Sequence, residues 1–236
     1  MNTKRNGHTD FSELEELIGY SFRDKKLLRI ALTHSSFANE HGGAIEEYNE
    51  RLEFLGDAVL ELVTSEYLYT HLPEQPEGCL TRTRAIIVRG QALAAYANRI
   101  NLNRFLLLGK GEESSGGRKR ASILANTFEA VIGAIYLDGG LEKAKRFIER
   151  FVIKTAGNLE KQNFLYDCKT ALQEEIQSTT GETIEYRILE ELGPDHDKTF
   201  HVQVVIGNRP MGEGTGKSKK EAEQKAARQA LGKLVE

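Results

Sequence analysis

Nine residues, NERLEFLGD from Asn49 to Asp57, carry three carboxylates at helical spacing. Glu53 and Asp57 stand at i and i+4, and Glu50 extends the same stripe by one turn. Like charges at this spacing repel each other, so the stripe is either tolerated in solvent or neutralised by something. A second run, ASILANTFEAVIGAIYLDGG, places Asn126 and Glu129 at i and i+3 in an otherwise apolar helix. No Lys or Arg lies within one turn of Glu129 on that helix, and buried carboxylates are rarely left unpaired. Two helices that each present oxygen ligands from one face would bind a hard cation. Mg²⁺ favours a few carboxylates, supplemented by water and phosphate oxygens. Spacing alone is equally compatible with Glu50 and Glu53 pointing into solvent beside Arg51.

The elements that must hold these groups follow from hydrophobic periodicity. From Phe11 to about Ala156 apolar residues recur at helical spacing, as in Leu14-Leu17-Ile18, Leu55-Val59-Leu62-Val63 and Phe128-Ile132-Ile135-Tyr136. Turn signals at His41-Gly42-Gly43, Pro73 to Gly78 and Gly139-Gly140 separate the helices. The pattern predicts an all-α domain over residues 11–156, after a disordered lead over residues 1–10. The polar run GKGEESSGGRKR, Gly109 to Arg120, is expected to be a mobile surface loop. Periodicity weakens over residues 157–165, the expected linker. Beyond it the pattern switches. Lys169 to Gln177 reads as a helix, and Tyr186 and Ile188 suggest a strand. Phe200, Val202, Val204 and Ile206 alternate as in a half-buried strand. Asn208-Arg209-Pro210 reads as a turn, a third strand follows, and Lys219 to Leu234 is an Ala-rich helix. Residues 166–236 thus form a small α-β-β-β-α domain with helices covering one face of an antiparallel sheet.

Hydrophobic residues at 39% and charged residues at 28% give an ordinary soluble globular balance. No uninterrupted apolar run approaches the roughly 20 residues that span a bilayer, and MNTKRNGHTD has no apolar signal core. No membrane partner and a cytoplasmic location are the expectation. Cys79 and Cys168 are far apart and lack CxxC spacing, so neither a disulfide framework nor a Cys-based zinc site is expected. The net charge is −3. Residues 1–163 are balanced and residues 164–236 are net acidic, so any polyanion must be bound by local placement of cations.

NERLEFLGDAVLELV closely resembles the signature stretch of the ribonuclease III family, and LANTFEAVIGAIYLD resembles that family's second active-site helix. LTHSSFANE and EGCLTRTRAIIV are similar to the same family. YDCKTALQEEIQ, GPDHDKTFHVQV and GEGTGKSKKEAEQKAA resemble its double-stranded RNA-binding domain. The likeness covers almost the whole chain in the bacterial two-domain order. It implies that Glu53, Asp57, Asn126 and Glu129 hold divalent metal, normally Mg²⁺ with Mn²⁺ as a substitute, at the scissile phosphate. Asp57 and Glu129 are the positions it marks as catalytic, and it places Glu50 and Glu77 near the substrate or a second metal. The family commonly has Asp where this chain has Asn126. An Asn keeps a carbonyl ligand but loses a negative charge, so an active site with weaker cation binding is expected. The resemblance also implies a symmetric homodimer in which Phe54 docks into a pocket on the partner subunit, leaving Leu52 and Leu55 to face the core.

In the C-terminal domain Lys217, Lys219 and Lys220 open the last helix, where free N–H groups and the dipole also favour phosphate. The resemblance implies that Gln173 and Glu174 of the first helix, and His196 in the loop after Gly193, touch 2′-hydroxyls in successive minor grooves. Such domains read A-form shape over about 16 base pairs. GEGTGKS imitates a nucleotide-binding Gly-rich loop, but the first Gly of that motif would fall on Met211, so no nucleotide cofactor is expected. His34 is read as structural or capping. The expected function is a Mg²⁺-dependent endoribonuclease that cuts double-stranded RNA to 5′-phosphate products with short 3′ overhangs, in ribosomal RNA precursor processing and messenger RNA turnover. One rival is a double-stranded RNA-binding protein whose nuclease site is impaired at Asn126. Another is an oligomeric helical scaffold with an incidental acidic stripe.

Overall fold

The computed structural model describes residues 11–73, 75–155, 168–194 and 197–234. The expected lead, linker and His196 lie outside those residues. The described chain is helical up to residue 155: α1 (Ser12–Ile18), α2 (Lys25–Leu32), α3 (Ser35–Glu40), α4 (Glu50–His71), α5 (Glu77–Val88), α6 (Gly90–Arg99), α7 (Lys110–Ser114), α8 (Ala121–Gly139) and α9 (Leu141–Ile148). Local chemistry sets several boundaries. The Asp24 carboxylate accepts the Lys26 N–H and caps α2. His34 Nδ1 accepts the Ser36 N–H and caps α3, the capping role expected of it.

The chain folds as two compact units, Met1–Thr64 with Ile87–Thr155, and Ser65–Ile86 with Ala156–Glu236. The first is built on α8, which packs against α2, α6 and α9. Leu124, Phe128, Ile132 and Ile135 of α8 are fully buried. By length and composition α8 is the one described helix apolar enough to cross a bilayer, and most of it is buried in the protein. The run Gly109 to Arg120 departs from the expected loop. It forms α7 and a 3₁₀ turn at Gly117–Lys119. The Arg118 guanidinium donates to the carbonyls of Asn103 at 2.7 Å and Leu106 at 3.1 Å, and to Glu113 Oε1 at 2.8 Å. Its polar residues satisfy one another, which composition alone does not reveal.

In the second unit, α10 (Cys168–Thr179), β1 (Ile184–Leu192), β2 (Thr199–Ile206), β3 (Arg209–Gly216) and α11 (Lys219–Leu234) follow the expected α-β-β-β-α order. The sheet is antiparallel with β2 in the centre. Val202, Val204 and Ile206 alternate toward a core shared with Leu172, Ile176, Ala226 and Ala230. Pro210 falls inside β3 rather than in the preceding turn; β3 is an edge strand, where a missing N–H is tolerated. The GEGTG run is strand. A Cβ at Gly212 or Gly214 would meet the α11 carbonyls of Ala226 or Ala222 at 2.4 and 2.3 Å, so these glycines let the helix lie on the sheet. Cys79 and Cys168 are paired as a disulfide with Cα atoms 5.7 Å apart, against the expectation of none. Their 89-residue separation carried no signal because the fold alone brings them together.

Candidate active site

Two glycines decide how the acidic helices meet. A Cβ on Gly56 of α4 would lie 1.8 Å from the Glu129 carbonyl oxygen of α8. A Cβ on Gly133 of α8 would lie 2.3 Å from the Leu52 carbonyl oxygen of α4. The two helices therefore touch backbone to backbone, an approach that no other residue type permits. Gly56 lies between Glu53 and Asp57, while Asn126 and Glu129 precede Gly133 by two turns and one turn. The crossing carries the four polar groups to one place. Glu50, Glu53, Phe54, Asp57, Asn126 and Glu129 line a common cavity of about 630 Å³. A glycine in a helix interior costs about 1 kcal/mol relative to alanine. Its presence in both motif helices was the available sequence signal for close approach, and the helical reading passed over it.

The side chains divide as the sequence suggests. Leu52 is buried and Leu55 half-buried, whereas Phe54 is 80% exposed at the cavity. Glu53 and Glu129 are half-buried, and Glu50 and Asp57 are exposed. Burial, reinforced by the charges of Asp57 and Glu53, pushes the Glu129 carboxyl up to about 7. Burial and the neighbouring charges of Glu50 and Asp57 also raise Glu53, while a hydrogen bond from Asn126 opposes the shift. An aspartate at 126 would have no amide N–H to donate.

The donor set is all oxygen: carboxylates plus one amide carbonyl. That suits a hard cation rather than zinc or copper. Among the described residues no three His, Cys, Asp or Glu side chains converge into a closed metal cage. A cation that keeps several waters does not need such a cage. The residues present therefore fit Mg²⁺ or Mn²⁺. Glu77 is not among the cavity residues. It opens α5 in the second compact unit, is exposed, and accepts the Thr81 hydroxyl at 2.7 Å.

In the second unit Gln173 and Glu174 are exposed on α10, and Glu174 pairs with Arg82 of α5. Ser218 caps α11 by accepting the Glu221 N–H at 3.2 Å. Lys217, Lys219 and Lys220 are exposed at this helix start. Lys217 pairs with Asp197 at 2.6 Å and Lys219 with Glu191 at 3.2 Å. Exposed pairs of this kind contribute little, so a phosphate can compete for both lysines. Asn49, which sequence reading passed over, is buried immediately before Glu50.

Comparison with known proteins agrees with this geometry. Residues 24–156 match the family described as Ribonuclease-III-like, and residues 168–234 match the double-stranded RNA binding motif. The chain is 50% identical over 222 residues to Ribonuclease 3 of Enterococcus faecalis, covering 93% of this chain and 95% of the relative. It is 52% identical over 221 residues to Ribonuclease 3 of Caldanaerobacter subterraneus, covering 94% and 96%. A solved nuclease domain of ribonuclease III from Campylobacter jejuni superposes with a TM-score of 0.57 at 44% identity, covering 61% of this chain and 97% of that one. With both domains matched in order and this identity along nearly its full length, the chain belongs to the ribonuclease III family in its bacterial two-domain form, an endoribonuclease carrying a double-stranded RNA-binding domain.

Proposed function

We propose that the α4–α8 cavity hydrolyses double-stranded RNA with Mg²⁺, releasing 5′-phosphate ends and short 3′ overhangs. The observation that carries this reading is the convergence of Glu53, Asp57, Asn126 and Glu129 on one cavity with only oxygen donors. Those four residues would hold the cation, with Asp57 and Glu129 the catalytic pair. Held there, Mg²⁺ would supply charge neutralisation at the scissile phosphate, a lowered pKa for an attacking water and stabilisation of the departing 3′ oxygen. Glu53 and Glu129 are half-buried on the helix side, and exposed Glu50 and Asp57 leave the other side open to a duplex. Asn126 contributes a carbonyl oxygen without adding a further charge beside the half-buried Glu53 and Glu129, and its amide holds Glu53 in place.

The duplex is bound by Lys217, Lys219 and Lys220 across a groove, with Gln173, Glu174 and His196 reading 2′-hydroxyls. Phe54, Ala58 and Leu62 form an exposed stripe at i, i+4 and i+8 along α4. This stripe supports a two-fold homodimer with one site for each RNA strand; the Campylobacter relative is described as having a region involved in dimer formation. Ribosomal RNA precursor processing and messenger RNA turnover in the cytoplasm are the proposed cellular work. Incubation of a long duplex with the full chain and Mg²⁺, followed by end analysis, tests the reading. Short duplexes with 5′-phosphates are expected, and Asn126→Asp should lower the Mg²⁺ concentration for half-maximal rate. Cleavage by Asn126→Asp alone would instead favour a protein that binds duplex RNA without cutting it.

A further inference from the structure

Asn49 is 3% exposed and joins three segments of the helical unit. Its N–H donates to the Thr33 carbonyl at 2.9 Å, beyond the end of α2. Its carbonyl accepts the Glu53 N–H at 2.8 Å in the first turn of α4. Its side-chain Nδ2 donates to Thr127 Oγ1 of α8 at 3.4 Å. Thr127 is fully buried, and its hydroxyl donates to the Ile123 carbonyl at 2.7 Å. That bond leaves the oxygen lone pairs to accept from Asn49, so the direction of the Asn49–Thr127 bond is fixed. Both partners adjoin the site in sequence: Asn49 precedes Glu50, and Thr127 follows Asn126 by one residue and precedes Glu129 by two. The Gly56 and Gly133 surfaces let the helices approach, but two glycine surfaces can slide. A buried donor–acceptor pair cannot slide without losing its partner.

We infer that Asn49 is a positioning residue, acting through Thr127 to hold the carboxylates of α4 in register with Asn126 and Glu129. The inference rests on the proposed metal-dependent site but is read by metal binding as well as by cleavage. The full chain, Asn49→Ala, Thr127→Val, the double variant and Thr127→Ser are titrated with Mn²⁺ by electron paramagnetic resonance. Cleavage is followed against Mg²⁺, and duplex affinity is measured without divalent metal. Groups that orient metal ligands contribute about 10–100-fold to affinity. Asn49→Ala and Thr127→Val are each expected to weaken Mn²⁺ binding about tenfold and to raise the Mg²⁺ requirement for cleavage in parallel. The double variant should be no worse than either single one. Thr127→Ser keeps the hydroxyl and should bind Mn²⁺ like the parent, and duplex affinity should not change in any variant. Should Asn49→Ala fail to fold by circular dichroism, the Thr127→Val and Thr127→Ser pair carries the same comparison. Parent-like Mn²⁺ affinity in folded Asn49→Ala or Thr127→Val, additive losses in the double variant, or a Thr127→Ser loss equal to that of Thr127→Val would overturn the inference. A parent that binds Mn²⁺ but cuts no duplex would remove the proposed activity, while a tenfold loss in the variants would still support the positioning role.

Discussion

Replacing Gly56 by alanine perturbs the site without touching any ligand. The added Cβ would sit 1.8 Å from the Glu129 carbonyl oxygen, and real Cβ atoms essentially never approach a neighbour closer than 3.0 Å. Helices α4 and α8 must therefore part locally by about 1.2 Å, the difference between those two distances. Forced overpacking of this kind costs about 1–3 kcal/mol of stability. A displacement of about 1 Å between reacting groups costs on the order of 10²-fold in rate. Gly133→Ala needs less movement, because its Cβ would start 2.3 Å from the Leu52 carbonyl oxygen. Gly111→Ala in α7 serves as the control, since its Cβ would meet nothing within 4 Å. Thermal denaturation and single-turnover cleavage of a duplex are expected to rank the damage Gly56, then Gly133, with Gly111 near the parent. Duplex affinity should stay at the parent level. A Gly56→Ala protein with the parent's melting temperature and cleavage rate would refute the close backbone approach as the basis of the site.

Other perturbations reach other parts of the molecule. Phe54→Ala removes a side chain that is 80% exposed in the protomer, so protomer folding should barely change. Association should weaken by about 10²-fold or more in sedimentation, since truncating a Phe buried in an interface costs about 3–5 kcal/mol; an unchanged dimer would count against this role. Alanine at Lys217, Lys219 and Lys220 together should weaken duplex binding and flatten its log–log salt dependence by roughly 0.7–0.9 for each phosphate that is no longer neutralised, and an unaltered slope would exclude them from the interface. Glu129, raised by burial and its acidic neighbours to about 7 from an ordinary 4.5, keeps a proton in the folded state that the unfolded chain has released. The metal-free protein should therefore lose stability as pH rises from about 4.5 to about 7. Melting in chelator should show this slope in the parent and a shallower one in Glu129→Gln; identical slopes would mean that Glu129 is not the raised group.

Much of the fold was legible because periodicity and side-chain type are local properties. The helices of the first unit, the alternation of Val202, Val204 and Ile206, and the capping role of His34 all follow from neighbours within a few residues. That Glu53, Asp57, Asn126 and Glu129 belong together was legible because two motifs each carried paired polar residues on an apolar helix, and the four line one cavity. What escaped depended on the meeting of distant segments. Gly56 and Gly133 look like weak points in helices until their carbonyl neighbours on the facing helix are known. Arg118 turns a Gly- and Ser-rich run into ordered turns by reaching the carbonyls of Asn103 and Leu106. Cys79 and Cys168 pair only because α5 and α10 meet within one compact unit.

Metal-dependent hydrolysis of duplex RNA in the α4–α8 cavity is tested most directly by single-turnover cleavage of one labelled duplex, with the parent and Glu129→Gln compared at equal duplex occupancy in saturating Mg²⁺. Rapid cutting is expected from the parent and no measurable cutting from Glu129→Gln, because on the proposed assignment the variant keeps the double-stranded RNA-binding domain and loses a charge that faces the scissile phosphate. Equal cleavage rates for the two proteins would place the chemistry elsewhere and contradict this assignment.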